Sequence, residues 1–316
     1  MPVRFRAAEE GGCYHHNEKK THPVCHDPKS ENMRNRTRWS CLLVAVLLNL
    51  ANMASAEAHP IILDPGHDPL YPGARGSCGE FEFKYNERIV AAYLKITSAR
   101  VITTRDAGQA PRTLKHTTDT DRVSKNRYTL KNSLQARTSL ANSSKGSLFI
   151  SIHHDSTAAR FITPNPSLCE GRGGHTLLQD FKARNTIGFN VFIDQDPKNL
   201  HYRNSLRFAM LLGEELIAIG RQPSNYHYFP EDDCRSCKPV VRDLGVWHQQ
   251  LYVLRHARMP AVLVEVGNIA DAADEALINS EQFREQFARA LNRAVERYFS
   301  DTTGSKPSAV QRPERN

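Results

Sequence analysis

The chain has 316 residues, enough for one large domain or two small ones, and either arrangement can bury a core. Its 40% apolar and 24% charged content is that of an ordinary globular protein. A formal charge of +8 suits an acidic polymer as partner, but there is no basic run, no helix-turn-helix pattern and no aromatic RNA-binding signature, which argues against nucleic acid.

Residues 1–32 are polar, with scattered His, Lys and Pro, and read as a disordered, mis-assigned upstream extension with Met33 as the initiator. Met33 to Ala56 has the three parts of an export signal. Arg34, Arg36 and Arg38 form a positive start, Leu42 to Leu50 is apolar apart from Asn49, and Ala54-Ser55-Ala56 is a small-x-small cleavage site. The apolar run is short for a bilayer span, and no cysteine follows the cleavage site, so no stable membrane anchor is expected. With residues 1–56 removed, 34 basic and 29 acidic side chains remain, a charge of +5. Cys78, Cys169, Cys234 and Cys237 also remain, and an even count in an exported chain favours disulfides. Cys234 with Cys237 would close a tight local loop, while Cys78 with Cys169 would tie two distant loops.

Residues 57–300 carry no repeat or low-complexity linker and read as one catalytic domain, a monomer, followed by a polar tail over 301–316. Pro60 to Leu63 is a short apolar strand. Ile89 to Ile96 is helical, with Ile89, Val90, Tyr93 and Leu94 on one face. Val101-Ile102 is a strand, Gln135 to Asn142 a helix, and Leu148 to Ile152 a buried strand. Phe189 to Ile193 is another strand, followed by a helix through Leu206, Met210, Leu212, Leu216 and Ile219 that Gly220 closes. Ala261 to Val266 is a β-branched strand. Phe283, Phe287, Leu291, Val295 and Tyr298 mark a last amphipathic helix capped by Ser280. This alternation predicts an α/β domain: a mainly parallel or mixed twisted sheet with helices on both faces.

Three of these strands end in polar residues. Leu63 leads into Asp64-Pro65-Gly66-His67, the Phe149 strand into His153-His154-Asp155, and the Ala261 strand carries Glu265 and stops at Gly267-Asn268. Ligands of open α/β sheets bind beyond the carboxyl ends of the strands, so parallel pairing would bring His67, His153 and Glu265 to one edge. Two imidazoles and a carboxylate are the donor set of a catalytic zinc site, whose fourth position takes water. A further carboxylate is then needed to move the proton. The third ligand comes from Glu80, Glu82 or Glu87, between which spacing does not choose. In an extended segment only one of His153 and His154 faces the metal.

These motifs resemble those of the family 3 N-acetylmuramoyl-L-alanine amidases, zinc enzymes of bacterial wall remodelling, from Ile61 to about Phe299. Asp64-Pro65-Gly66-His67 resembles the family's opening metal motif. Glu82-Phe83-Lys84-Tyr85-Asn86 resembles its Glu-x-x-x-Asn segment, which selects Glu82. Arg137, Ala141-Asn142 and Phe149 to His153 resemble the arginine helix and the second histidine motif, and Val253 to Gly267 the stretch bearing the catalytic glutamate. The resemblance implies zinc on His67, Glu82 and His153, Glu265 as catalytic base, and hydrolysis of the bond between N-acetylmuramic acid and L-alanine in peptidoglycan. The export signal makes the periplasm or the exterior the expected location, and a protein activator is an expected further partner beside peptidoglycan. Asp64, Arg137, His154 and Arg242 are expected to contact substrate or hold the ligands in place. Asp68-Pro69 departs from the usual Gly-Gly, Asn268 from the usual Phe, and residues 156–260 match poorly. The competing functions are an exported zinc carboxypeptidase, distinguished by its products, and a catalytically dead wall-binding protein, distinguished by a digestion test.

Overall fold

A β-branched and aliphatic run dominates each core strand, and successive residues alternate between two apolar layers. The computed structural model describes residues 60–111, 129–196, 198–228 and 237–304. The upstream extension, the export signal, the tail beyond 304 and Cys234 lie outside the described residues.

Seven strands form one sheet. They are β1 (Ile61–Pro65), β2 (Val101–Thr103), β3 (Leu148–Asp155), β6 (Asn190–Ile193), β7 (Lys238–Val241), β8 (Val246–His248) and β9 (Ala261–Asn268), in the order β2-β1-β3-β9-β6-β8-β7. The β2-β1-β3-β9 half is parallel; β6 runs antiparallel to β9, and β7 antiparallel to β8, so the sheet is mixed. A separate antiparallel hairpin joins β4 (Ile162–Asn165) to β5 (Gly174–Leu177).

Ile61, Leu63, Ile150, Ile152, Val262 and Val264 face one layer. There they meet α1 (Glu82–Ile96), α4 (Tyr202–Ala218) and α7 (Glu281–Gly304), which contribute Tyr85, Ile89, Tyr93, Phe208, Leu212, Phe287 and Leu291. Ile62, Phe149, Phe192, Trp247 and Leu263 face the other layer, under α2 (Leu130–Ser143) and α5 (Tyr252–His256). The short α3 (Gln179–Lys182) follows the hairpin, and α6 (Ala272–Asn279) follows β9. Helix ends carry the expected caps. Ser280 Oγ accepts from Phe283 N at 3.2 Å, and Gly220 closes α4 with φ +86°.

Helix α1 starts seven residues earlier than its apolar pattern predicts. Glu82 and Asn86 break that pattern yet are buried, because they share a face with Ile89, Val90 and Tyr93 and look toward the sheet edge. Leu94, expected on this face, is 44% exposed. Strand β3 likewise runs on through His153, His154 and Asp155. The polar residues that look like strand ends in the sequence are the last rungs of the ladder, with His153 opposite Glu265.

Candidate metal centre

The first histidine sits where β1 leaves the sheet. Gly66 N donates to Ile152 O at 2.9 Å, and the next residue, His67, takes φ 57°, a left-handed conformation costing a non-glycine residue about 1 kcal/mol or more. Two buried arginines hold this turn. Arg137 donates to the carbonyls of Pro65 (2.8 Å) and His67. Arg105 Nε donates to the same two carbonyls at 3.0 and 2.7 Å, and Asn86 Nδ2 takes Gly66 O at 2.9 Å.

Glu82, at the start of α1, bridges two imidazoles. Its Oε2 is 3.1 Å from His67 Nε2 and its Oε1 is 3.0 Å from His153 Nδ1. The potential ligand atoms of His67, Glu82 and His153 lie within 4.8 Å of one another. His67 Nδ1 lies 3.2 Å from Tyr71 O; donation to that carbonyl fixes the tautomer and leaves Nε2 free as a ligand. Backbone N–H groups of Ala74 and His154 steady the Glu82 oxygens at 3.2 Å each. Burial opposes ionisation of Glu82, but the charge of His67 and hydrogen bonds from both imidazoles hold its carboxyl well below the usual range. At His67 burial is outweighed by the Glu82 charge and the pKa rises; at His153 burial prevails and it falls. Two nitrogens and one oxygen converging in this way fit a divalent metal of the zinc type.

Close packing reserves the space. A Cβ on Gly66 would lie 2.1 Å from His153 Nε2, and one on Gly73, at φ +75°, would lie 2.5 Å from Glu82 Oε2 and 2.7 Å from His67 Cδ2. Gly73→Ala is therefore expected to push Glu82 aside and weaken zinc binding roughly tenfold or more while the fold persists. Chelator competition on the purified protein measures this, and unchanged affinity would separate Gly73 from the centre.

Glu265 stands on β9 beside His153. Its Oε2 is buried without a hydrogen-bond partner. Burial, then the charges of Asp155 and Glu82, push its pKa well above the usual carboxylate range. A carboxyl in this setting favours its protonated form more than a solvated one does. Beside His67 and His153 opens a cavity of about 140 Å³ walled by Leu130, Leu134, Leu251 and Tyr252.

The remaining expected residues take different places. Asp64 does not touch a ligand imidazole. It pairs with Arg137 at 2.5 Å and accepts from Ser151 Oγ at 2.7 Å and from Thr104. Burial opposes its ionisation, but Arg137 and these hydroxyls hold its pKa below the usual value. Asp64 and Arg137 thus support the His67 turn from below. His154 alternates with His153 along β3 and faces the α1 side of the sheet. There its Nδ1 meets Asn86 Oδ1 at 2.7 Å, and burial pushes its pKa down to about 3. Arg242 is exposed on a 3₁₀ turn before β8 and is not among the residues lining the cavity. Arg105 and Gly73 also shape the site, and no motif in the sequence marks them. Arg105 follows β2, a fourth apolar strand ending in a polar residue at the same edge, and that was the available signal.

Cys78, four residues before Glu82, is bonded to Cys169 in the β4–β5 connection, one of the pairings open from sequence. Cys237 is also disulfide-bonded.

Comparison with known proteins follows the same lines. Residues 61–297 match the family model described as N-acetylmuramoyl-L-alanine amidase. An N-acetylmuramoyl-L-alanine amidase of Mycobacterium tuberculosis is 27% identical over 165 residues, covering 52% of this chain and 60% of that relative. Among solved structures, the amidase Ami1 of Mycobacterium smegmatis superposes with a TM-score of 0.52 at 20% identity, covering 76% of this chain and 96% of its own. The CwlD amidase of Clostridioides difficile, solved with the GerS lipoprotein, gives 0.52 at 19% identity, covering 77% and 99%. At these identities the superpositions establish the fold.

Proposed function

The chain belongs to the N-acetylmuramoyl-L-alanine amidase family, and from that premise we propose that it is a zinc hydrolase cutting the amide between N-acetylmuramic acid and L-alanine in peptidoglycan. The observation that carries the reading is the convergence of His67, Glu82 and His153 beside a buried carboxyl on the adjacent strand. His67 Nε2, His153 Nδ1 and the Glu82 carboxylate would hold the ion. Bound there, zinc supplies Lewis acidity, polarising a carbonyl and lowering the pKa of water to about 7. Glu265 takes the proton of the attacking water and delivers it to the departing alanine amine as the carbon–nitrogen bond breaks. Its raised proton affinity suits both transfers. Arg105 and Arg137 keep the His67 turn fixed through the cycle.

The substrate lies outside the cytoplasm. A periplasmic or secreted protein, exported by residues 33–56, completes the reading. Among the described residues no helix is long and apolar enough to cross a membrane. CwlD is solved with a lipoprotein, and an activating protein partner is part of the same proposal.

Mass spectrometry of purified sacculi after incubation with zinc-loaded protein tests the function. Free stem peptides with a new L-alanine amino terminus are expected, with release abolished by a chelator and restored by zinc. Shortened peptides still attached to glycan would instead identify a carboxypeptidase, and undigested sacculi a protein without this activity.

A further inference from the structure

The cavity beside the His67 turn is apolar where a ligand would touch it. Leu134 comes from α2, Leu251 and Tyr252 from the start of α5, and Leu263 from β9. The Tyr252 ring stacks on His256 at 3.9 Å, which holds it in place. Polar groups reach the wall but are spent on one another. Asp68 Oδ1 accepts from the N–H groups of Leu70 (2.9 Å) and Tyr71 (3.1 Å), and its Oδ2 accepts from Ser133 Oγ at 2.7 Å. Arg137 is committed to Asp64 and to the carbonyls of the His67 turn. A ligand in the cavity therefore meets carbon. Asp68 is fully buried, and its bond to Ser133 ties α2 to the turn. It stands at one of the positions where the sequence departs from the family's usual glycines, and a glycine would offer no side chain to make this link.

Place and size together fix what enters. Both ligand imidazoles line the cavity. A group that occupies it while the scissile carbonyl is at the metal is therefore a close neighbour of that carbonyl in the substrate. On β9, Leu263 and Glu265 are two residues apart and point to one face, about 7 Å from each other along the strand. Glu265 serves the departing amine in the reading above. The residue carrying that amine then lies along β9, with its side chain over Leu263. The cavity measures about 140 Å³. A methyl group, close in size to a water molecule of about 30 Å³, leaves most of such a space empty, whereas an apolar cavity of about 150 Å³ accepts benzene. We infer that the cavity is the subsite for the side chain of the first stem residue, and that it admits aliphatic side chains larger than the methyl of alanine, valine included. The inference rests on the amidase reading and adds a substrate range to it.

The test uses the zinc-loaded full chain and two soluble muramoyl peptides that differ only in the first residue, L-alanine or L-valine. The wild type is expected to cleave the valine substrate with kcat/KM within about tenfold of the alanine one. Leu134→Trp fills the cavity and is expected to lower the valine-to-alanine ratio of kcat/KM by about 10- to 200-fold, the range for a misfit of methylene size in an apolar pocket. Loss of folding or of metal affects both substrates alike and leaves this ratio unchanged, so the ratio reports the subsite. A wild type that disfavours valine by much more than about tenfold, or a Trp variant with the wild-type ratio, overturns the inference. An unchanged ratio is also the result expected if the lactyl side of the amide fills the cavity. A second measurement needs no turnover. With a dipeptide bearing an amino-terminal L-valine added to methyl-labelled wild type, nuclear Overhauser contacts are expected between the valine methyls and those of Leu134 and Leu263. Their absence overturns the inference whatever Leu134→Trp does to folding. Contacts in a wild type that cleaves neither muramoyl peptide would instead sink the assigned reaction and leave the apolar subsite standing.

Discussion

Glu265→Gln is expected to bind zinc as the wild type does and to lower kcat by about 10²- to 10⁴-fold. The substitution keeps shape and volume and removes only the capacity to carry a proton. Glu265 is not one of the three groups that converge as ligands, so metal content should not change. The same variant has a second expected effect in the metal-free protein. Burial and the charges of Asp155 and Glu82 raise the folded-state pKa of Glu265. A raised carboxyl binds its proton more tightly in the folded state, so its ionisation costs stability as pH rises above the unfolded value of about 4.3. At neutral pH that cost is present, and Gln removes it. A higher melting temperature together with lost turnover is the combined signature of a buried functional carboxyl. Full activity in the Gln variant would remove Glu265 from the proton path.

Arg137→Met is expected to destabilise the protein by about 3–5 kcal/mol, the range for removing one partner of a buried ion pair. Arg137 and Asp64 are 2% and 1% exposed and lie 2.5 Å apart. Without the guanidinium, Asp64 becomes a buried charge with only hydroxyl donors, and the carbonyls of Pro65 and His67 lose a donor. Urea unfolding measures the loss. The pH dependence gives an independent check. The folded pKa of Asp64 lies below its unfolded value of about 3.9, so its contribution is fully present above pH 4 and is lost as pH falls through the folded pKa. Arg137→Met should flatten that acid limb. A variant with wild-type stability and an unchanged acid limb would show that the pair does not anchor the His67 turn.

The sheet edge was legible in the sequence because physics forces a contrast there. Buried strands are apolar, so a strand that runs straight into Asp-Pro-Gly-His, His-His-Asp or Glu-Val-Gly-Asn reveals where function interrupts packing. The choice of Glu82 was not legible from spacing, although the structure gives its reason. Glu80 precedes the helix and pairs with Arg88, and Glu87 turns to Arg105. Glu82 and Asn86, four residues apart on one helical face, both reach the metal turn. Asp64 was legible as a supporting residue, but its cation, Arg137, comes from 73 residues away and no local spacing points to it. The β4–β5 hairpin was missed for a related reason: its strands are short and carry no apolar alternation, and the Cys78–Cys169 disulfide joins their connection to the loop before α1.

X-ray absorption at the zinc edge on the purified full chain addresses the metal centre most directly. One zinc per chain is expected, with two imidazole nitrogens and a carboxylate oxygen at about 2.0–2.2 Å, and with Glu82→Ala losing the oxygen and most of the metal. A protein that takes up no zinc, or one whose zinc shell is the same after Glu82, His67 or His153 is removed, would contradict it.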